Sequence, residues 1–241
     1  MKRGLVFLVW AYAAACLFAC SSDDEEPNDP DAPTPHEQEV VRYFTEVALG
    51  GEFDNEPPVT RKWLREMKLY VGGTPDQVLR SELDDVITEI NDLAHDGFQI
   101  TTTTDSASCN AYIFFGAPDV FEAWYPPAAQ YIDDNWGLFF SFPDNSTNEL
   151  YRAVMFVDMV RNADKKAQRH ILREELTQSL GLARDADRYD DSIFQQAWTT
   201  GTEYAPIDRE LIWLLYDPVI VPGLDSATVT PLLQQLLKEK V

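Results

Sequence analysis

Between residues 165 and 183 the chain carries two interleaved patterns that only a helix at the margin of a core can satisfy together. Leu172, Leu176, Leu180 and Ala183 recur at three- and four-residue intervals, the spacing that gathers side chains on one face of an α-helix. His170, Glu174 and Gln178 repeat every four residues along another face. A strand would scatter both sets over its two sides. The segment therefore predicts a helix from about Lys165 to Leu182, with leucines turned inward and a polar ridge turned toward whatever lies beside the neighbouring sheet. Gly181 stands where the chain has to leave that helix.

The rest of the chain supplies the material for such a core. A first helix is predicted from about Glu37 to Leu49, where Val40, Val41, Phe44, Val47 and Ala48 share a face before Gly50-Gly51. Met67 to Val71 reads as a strand, and Thr74-Pro75-Asp76 as a helix start with Thr74 as cap. The helix that follows is apolar at Val78, Leu79, Leu83, Val86, Ile87, Ile90 and Leu93. Strands are predicted at Phe98 to Thr104, Ala111 to Phe115, Trp136 to Phe142 and Leu150 to Val157, with a short helix at Pro118 to Trp124 and a hairpin turn at Asp144 to Asn148. Leu211 to Leu215 and Thr230 to Leu237 predict two late helices. The order implies an α/β (α+β) fold: N-terminal helices, a mixed sheet, the long motif helix and a mostly helical C-terminal part.

The first residues belong to export rather than to the fold. Lys2 and Arg3 precede an apolar run from Leu5 to Ala19, short for a membrane span and flanked as a secretory signal is. It ends Leu17-Phe18-Ala19-Cys20, which resembles a bacterial lipobox; the alternative is a plain signal peptide with a chance cysteine. The organisation read here is a lipoprotein signal over 1–19, an acidic, proline-rich tether over 20–35 and a single domain over 36–241. Ser21-Ser22-Asp23-Asp24-Glu25-Glu26 is similar to the export signal of surface lipoproteins in Bacteroidota-type bacteria, implying a lipid anchor at the outer membrane; a solvated linker explains the same charges. A formal net charge of -22 argues against nucleic acid as a partner. Of 3 cysteines, Cys16 and Cys20 fall in the leader and lipidation region, so Cys109 is alone in the domain and no internal disulfide can form there.

Glu174-Glu175-Leu176-Thr177-Gln178-Ser179-Leu180-Gly181-Leu182 resembles the His-Glu-x-x-His helix of zincin peptidases with both histidines replaced. Glu175 keeps the general-base place, Glu174 and Gln178 take the ligand places, and Arg184 stands where the extended motif has its third ligand. With Arg169-His170 ahead and Asp185 behind, then Asp191-Ser192-Ile193-Phe194, and Asp208 before Leu214-Leu215-Tyr216-Asp217-Pro218 and Gly223, residues 168 to 223 resemble a bacterial family of exported proteins of unknown function grouped with the zincin-like metallopeptidases. That resemblance implies a zincin-like fold, zinc as the candidate cofactor, and Arg184, Asp185, Ser192 and Phe194 in or behind the cleft, with Phe194 where related enzymes carry a methionine under the metal.

The residues themselves weigh differently. The chain has only His36, His95 and His170, no two spaced to chelate from one helix. Glu174, Gln178 and His170 would form a mostly oxygen set, and a neutral amide is a poor zinc ligand. Asp185, Asp187, Asp190 and Asp191 lack the glycine and terminal glutamate of a calcium-binding hand, and read as a solvated acidic loop rather than as a cation site. Adjacent carboxylates on a helix point about 100° apart, so Glu174 and Glu175 do not oppose one another as a glycosidase pair. No Gly-x-Ser-x-Gly elbow occurs. Two functions stay open: a silent domain that binds a peptide, glycan or envelope protein in an old substrate cleft, or a hydrolase with an unconventional metal site and Glu175 as base. A buried polar network that merely fixes the helix to the sheet would use the same side chains.

Overall fold

The computed structural model describes residues 32–50 and 57–240, so the signal segment, Cys20 and most of the tether lie outside the described residues. Helix α1 (Pro35–Ala48) opens with a capping box: Thr34 Oγ1 accepts from the Glu37 amide, while Glu37 accepts from the Thr34 amide. Its apolar stripe, Val40, Val41, Phe44 and Val47, is buried as the periodicity requires. Strand β1 (Lys62–Trp63) has two residues and no sequence signal of its own. Strand β2 (Met67–Gly73) leads into α2 (Gln77–Leu93), which is capped by Asp76 accepting from the Leu79 amide, and not by Thr74. The Thr74 amide instead donates to the Phe115 carbonyl, and this keeps Thr74 with the sheet.

Strands β3 (Ile100–Thr103) and β4 (Ala111–Gly116) follow, then α3 (Pro118–Trp124) and a 3-10 turn at Pro126–Gln130. Strand β5 (Gly137–Pro143) and strand β6 (Glu149–Asp158) form the hairpin around Asp144, whose carboxylate accepts from the amides and hydroxyls of Ser146 and Thr147. Helix α4 (Lys165–Gln178) carries the motif, capped by Asp164. Helices α5 (Pro206–Leu215) and α6 (Ser226–Glu239) each begin earlier than their apolar runs suggest. Pro206 opens α5 at a position that needs no amide, and the Asp225 carboxylate caps α6 by accepting from Thr228.

The sheet runs β1-β6-β4-β2-β3, all parallel, with β5 antiparallel on β6. Over Ala153 to Val157, β6 is flanked by β4 on one side and β5 on the other, so β5 is an edge among the described residues. Alternation along β6 sends Ala153, Met155 and Val157 into the main core, beneath the helices, and Val154 and Phe156 into a second cluster with Phe121, Ala128, Ile132 and Leu138. Helix α4 packs on β5, β6 and α2. Just past its end, two carbonyls are taken up, that of Ser179 by the indole N–H of Trp63 and that of Leu180 by the Tyr216 hydroxyl, each at 3.0 Å. Gly181 leaves the helix at φ +113°, where a Cβ would strike the Arg61 carbonyl. No helix of the described residues is long and apolar enough to cross a membrane.

Candidate functional site

A cleft of about 370 Å³ opens between the ridge of α4 and the start of β5. Ile171, Glu174, Glu175 and Gln178 supply one wall, and Trp136 and Gly137 the other. Asp134, Asn135, Asp185, Gln196 and Trp198 close it from loops. Gly137 decides how near the walls come. A Cβ there would collide with the Glu175 carboxylate and with Ile171, so its absence lets Glu175, 7% exposed, lie directly against the edge strand.

The Asp158 amide donates to the Trp136 carbonyl at 2.8 Å, which makes that pair a hydrogen-bonded one. In antiparallel pairing such pairs alternate, so Leu138, Phe140 and Phe142 turn their backbone groups to β6. Gly137, Phe139 and Ser141 turn theirs away from β6.

Within the cleft, the side chains are tied to partners that define their chemistry. Gln178 Nε2 donates to Asp185 Oδ1 at 2.7 Å. Burial raises the Asp185 pKa, and the bond from Gln178 offsets part of that rise. His170 Nδ1 lies 2.7 Å from the Gly201 carbonyl, which can only accept, so the proton sits on Nδ1. Its Nε2 then accepts from Thr199 Oγ1 at 3.3 Å. Burial lowers the His170 pKa, leaving the ring neutral at pH 7, and the Glu174 carboxylate 3.5 Å from Nε2 is an approach to a lone pair rather than an ion pair. Trp198 stands edge-on to both Trp136 and His170, at centroid distances of 5.0 and 5.7 Å.

The remaining expected site residues divide. Arg184 does not line the cleft: its amide donates to the Val47 carbonyl and its side chain lies beside Gly50, so the left-handed turn at Gly181 carries it away from the third-ligand place and returns Asp185. Ser192 is also outside, at the centre of an inner network. Its hydroxyl donates to Asp208 Oδ1 at 2.6 Å, and its oxygen accepts from the Phe194 amide and lies 2.7 Å from the Tyr43 hydroxyl. Phe194 is wholly buried in the main core. These residues brace the cleft from behind. Ala186 exchanges backbone bonds with Phe194 and Gln196, fixing Asp185 and Gln196 on either side of the hollow. Asp134, Asn135, Gln196 and Trp198 were not predicted. They come from loops whose approach to α4 depends on tertiary packing, which no spacing within the sequence encodes.

The donor set does not suit zinc. Among the described residues no three His, Cys, Asp or Glu side chains converge where a cation could be held. Gln178 spends its N–H on Asp185, and the turn after Gly181 delivers a carboxylate rather than an imidazole. A wider groove of about 600 Å³ opens elsewhere over Tyr70, Tyr112, Trp124, Tyr151 and Arg152. In it Asn110 accepts from the Lys68 amide and donates to the Glu66 carbonyl, and the Arg152 guanidinium lies over the Phe142 ring.

The molecule is thus a mixed α/β protein whose six-stranded, mostly parallel sheet offers one antiparallel edge to an acidic, tryptophan-walled cleft. The chain belongs to the DUF2927 family, described as proteins of unknown function; the match spans residues 37–235, from within α1 to within α6. No curated protein matches the chain.

Proposed function

We propose that this domain is a metallopeptidase-like scaffold without ordinary zinc catalysis, and that it binds an extended peptide laid along β5 in the cleft beside α4. The observation that carries this reading is that the start of β5, an edge strand among the described residues, forms one wall of a cleft whose other wall is the Glu-Glu-x-x-Gln ridge of α4, with no side chain at Gly137 to stand between them. An open edge offers main-chain hydrogen bonds to any sequence, and the residues facing it select among sequences. The zincin-like layout of a motif helix packed beside an antiparallel edge strand supports the kinship, and the unsuited ligand set supports binding over hydrolysis. We further propose that the domain is displayed on the envelope by a lipid on Cys20, following the tether.

The test joins metal analysis to peptide binding on the purified protein. The expected result is substoichiometric zinc, stability indifferent to chelator, and saturable binding of an extended peptide array that is lost when the peptide backbone is N-methylated. Stoichiometric zinc, together with peptidase activity abolished by Glu175→Gln, would overturn the proposal in favour of a hydrolase with Glu175 as base.

A further inference from the structure

Resting on that reading of the cleft as a peptide groove, we propose that the peptide residue seated over α4 is a basic one, a lysine or arginine whose cation enters between the carboxylates of Glu174, Asp134 and Asp185 and against the faces of Trp136 and Trp198. The charge of the lining is one-sided: Asp134, Glu174, Glu175 and Asp185 face the hollow, and no lysine or arginine lines it among the described residues. The neutral polar groups there, Asn135, Gln178 and Gln196, add carbonyl oxygens. The tautomer of His170 keeps its Nε2 unprotonated, so the one imidazole nearby contributes no positive charge at pH 7.

The second half of the argument is aromatic. Trp136 and Trp198 are 41% and 54% exposed and meet edge to face at the mouth of the cleft. An indole face attracts a guanidinium or ammonium within about 6 Å of its centroid, and does so more strongly where water is partly excluded. Carboxylates and indoles lining one hollow are what a long basic side chain requires: an apolar stem against the rings and a charged head at the carboxylates. A small divalent ion would use neither tryptophan and would need convergent oxygens, which the described residues do not provide. An acidic or phosphorylated peptide would meet like charge throughout.

The probe is a set of otherwise identical extended heptapeptides with arginine, lysine, citrulline, norleucine or glutamate at the central position, titrated into the intact secreted domain and followed by calorimetry and tryptophan fluorescence. The arginine and lysine peptides should bind at least ten-fold more tightly than the citrulline and norleucine peptides. Glu174→Gln and Asp185→Asn should each erase several-fold of that preference. Trp198→Phe should remove most of the fluorescence change. Equal affinity for the arginine and citrulline peptides overturns the basic-residue inference and leaves the peptide groove standing. Absence of binding by every peptide overturns both. Saturable binding of calcium or magnesium alone, lost in Asp185→Asn and accompanied by no preference among the peptides, overturns it in favour of a cation site.

Discussion

Asp208 is a carboxylate held against its own solvation. Its oxygens accept from the Ser192 hydroxyl and from the amides of Ile193 and Ala205 at 2.6, 3.0 and 2.9 Å, yet burial outweighs these donors and pushes the pKa from 3.8 to about 6. A folded-state value above the unfolded one means that the native protein takes up this proton more readily. Protonation therefore favours folding, and the contribution grows as pH falls from above 6 toward 4, to about 3 kcal/mol in order of magnitude. His170 acts in the opposite sense: its pKa is lowered by burial, so protonation below the unfolded value near 6.5 favours the unfolded chain. Asp208→Asn isolates the first effect. Relative to this variant, the wild-type protein should gain up to about 3 kcal/mol between pH 7 and pH 4, measured as the difference of urea unfolding free energies at the two pH values. A difference independent of pH would contradict the assignment.

At the scale of elements, α4 is seated by an ion-pair network with α2. Arg173, almost wholly buried, pairs with Glu82 at 2.9 Å and Glu89 at 3.1 Å, and Arg169 also reaches Glu82. Tyr204 lies under the Arg173 guanidinium, 4.5 Å from ring centre to its carbon. Removing one buried partner strands the other. Glu82→Gln should destabilise the fold by about 2–4 kcal/mol, while Glu82→Leu combined with Arg173→Met should recover most of that loss, since an apolar pair carries no desolvation penalty. Chemical denaturation of the single and double variants decides this. The network also marks what was legible. The helix itself, its leucine face and its polar ridge follow from spacing within one segment. Its partner Glu82 sits 91 positions away and shows no periodicity that points to it. Strand β1 was invisible for the same reason, because Lys62 and Trp63 pair only once β6 is beside them. The cap of α2 was placed two residues early, since Thr74 and Asp76 are equally good caps until the sheet claims one. In the site, Glu174, Glu175 and Gln178 were readable from the motif. Arg184 and Asp185 were both expected in or behind the cleft, and only Asp185 lines it, because counting along the motif cannot register the left-handed turn at Gly181.

For the molecule as a whole, the acidity is unevenly useful. The formal charge is -22, and in the cleft the same sign prevails, since Asp134, Glu174, Glu175 and Asp185 line it with no lysine or arginine among the described residues. The proposed anchor is tested separately from the cleft. In cells fed a labelled fatty acid, the wild-type chain should incorporate label and fractionate with membranes, whereas Cys20→Ser should lose both; unchanged label in that variant would remove the lipid from the account. The topology has a consequence for how the chain is made. β1, β4 and β5 have β6 as a common neighbour, and β6 begins only at Glu149. β2, β3 and β4 can pair with one another once Gly116 has emerged, whereas β1 and β5 stay without their neighbour until β6 arrives, so the sheet closes in two stages and the long-range pairing to β6 is the slower one.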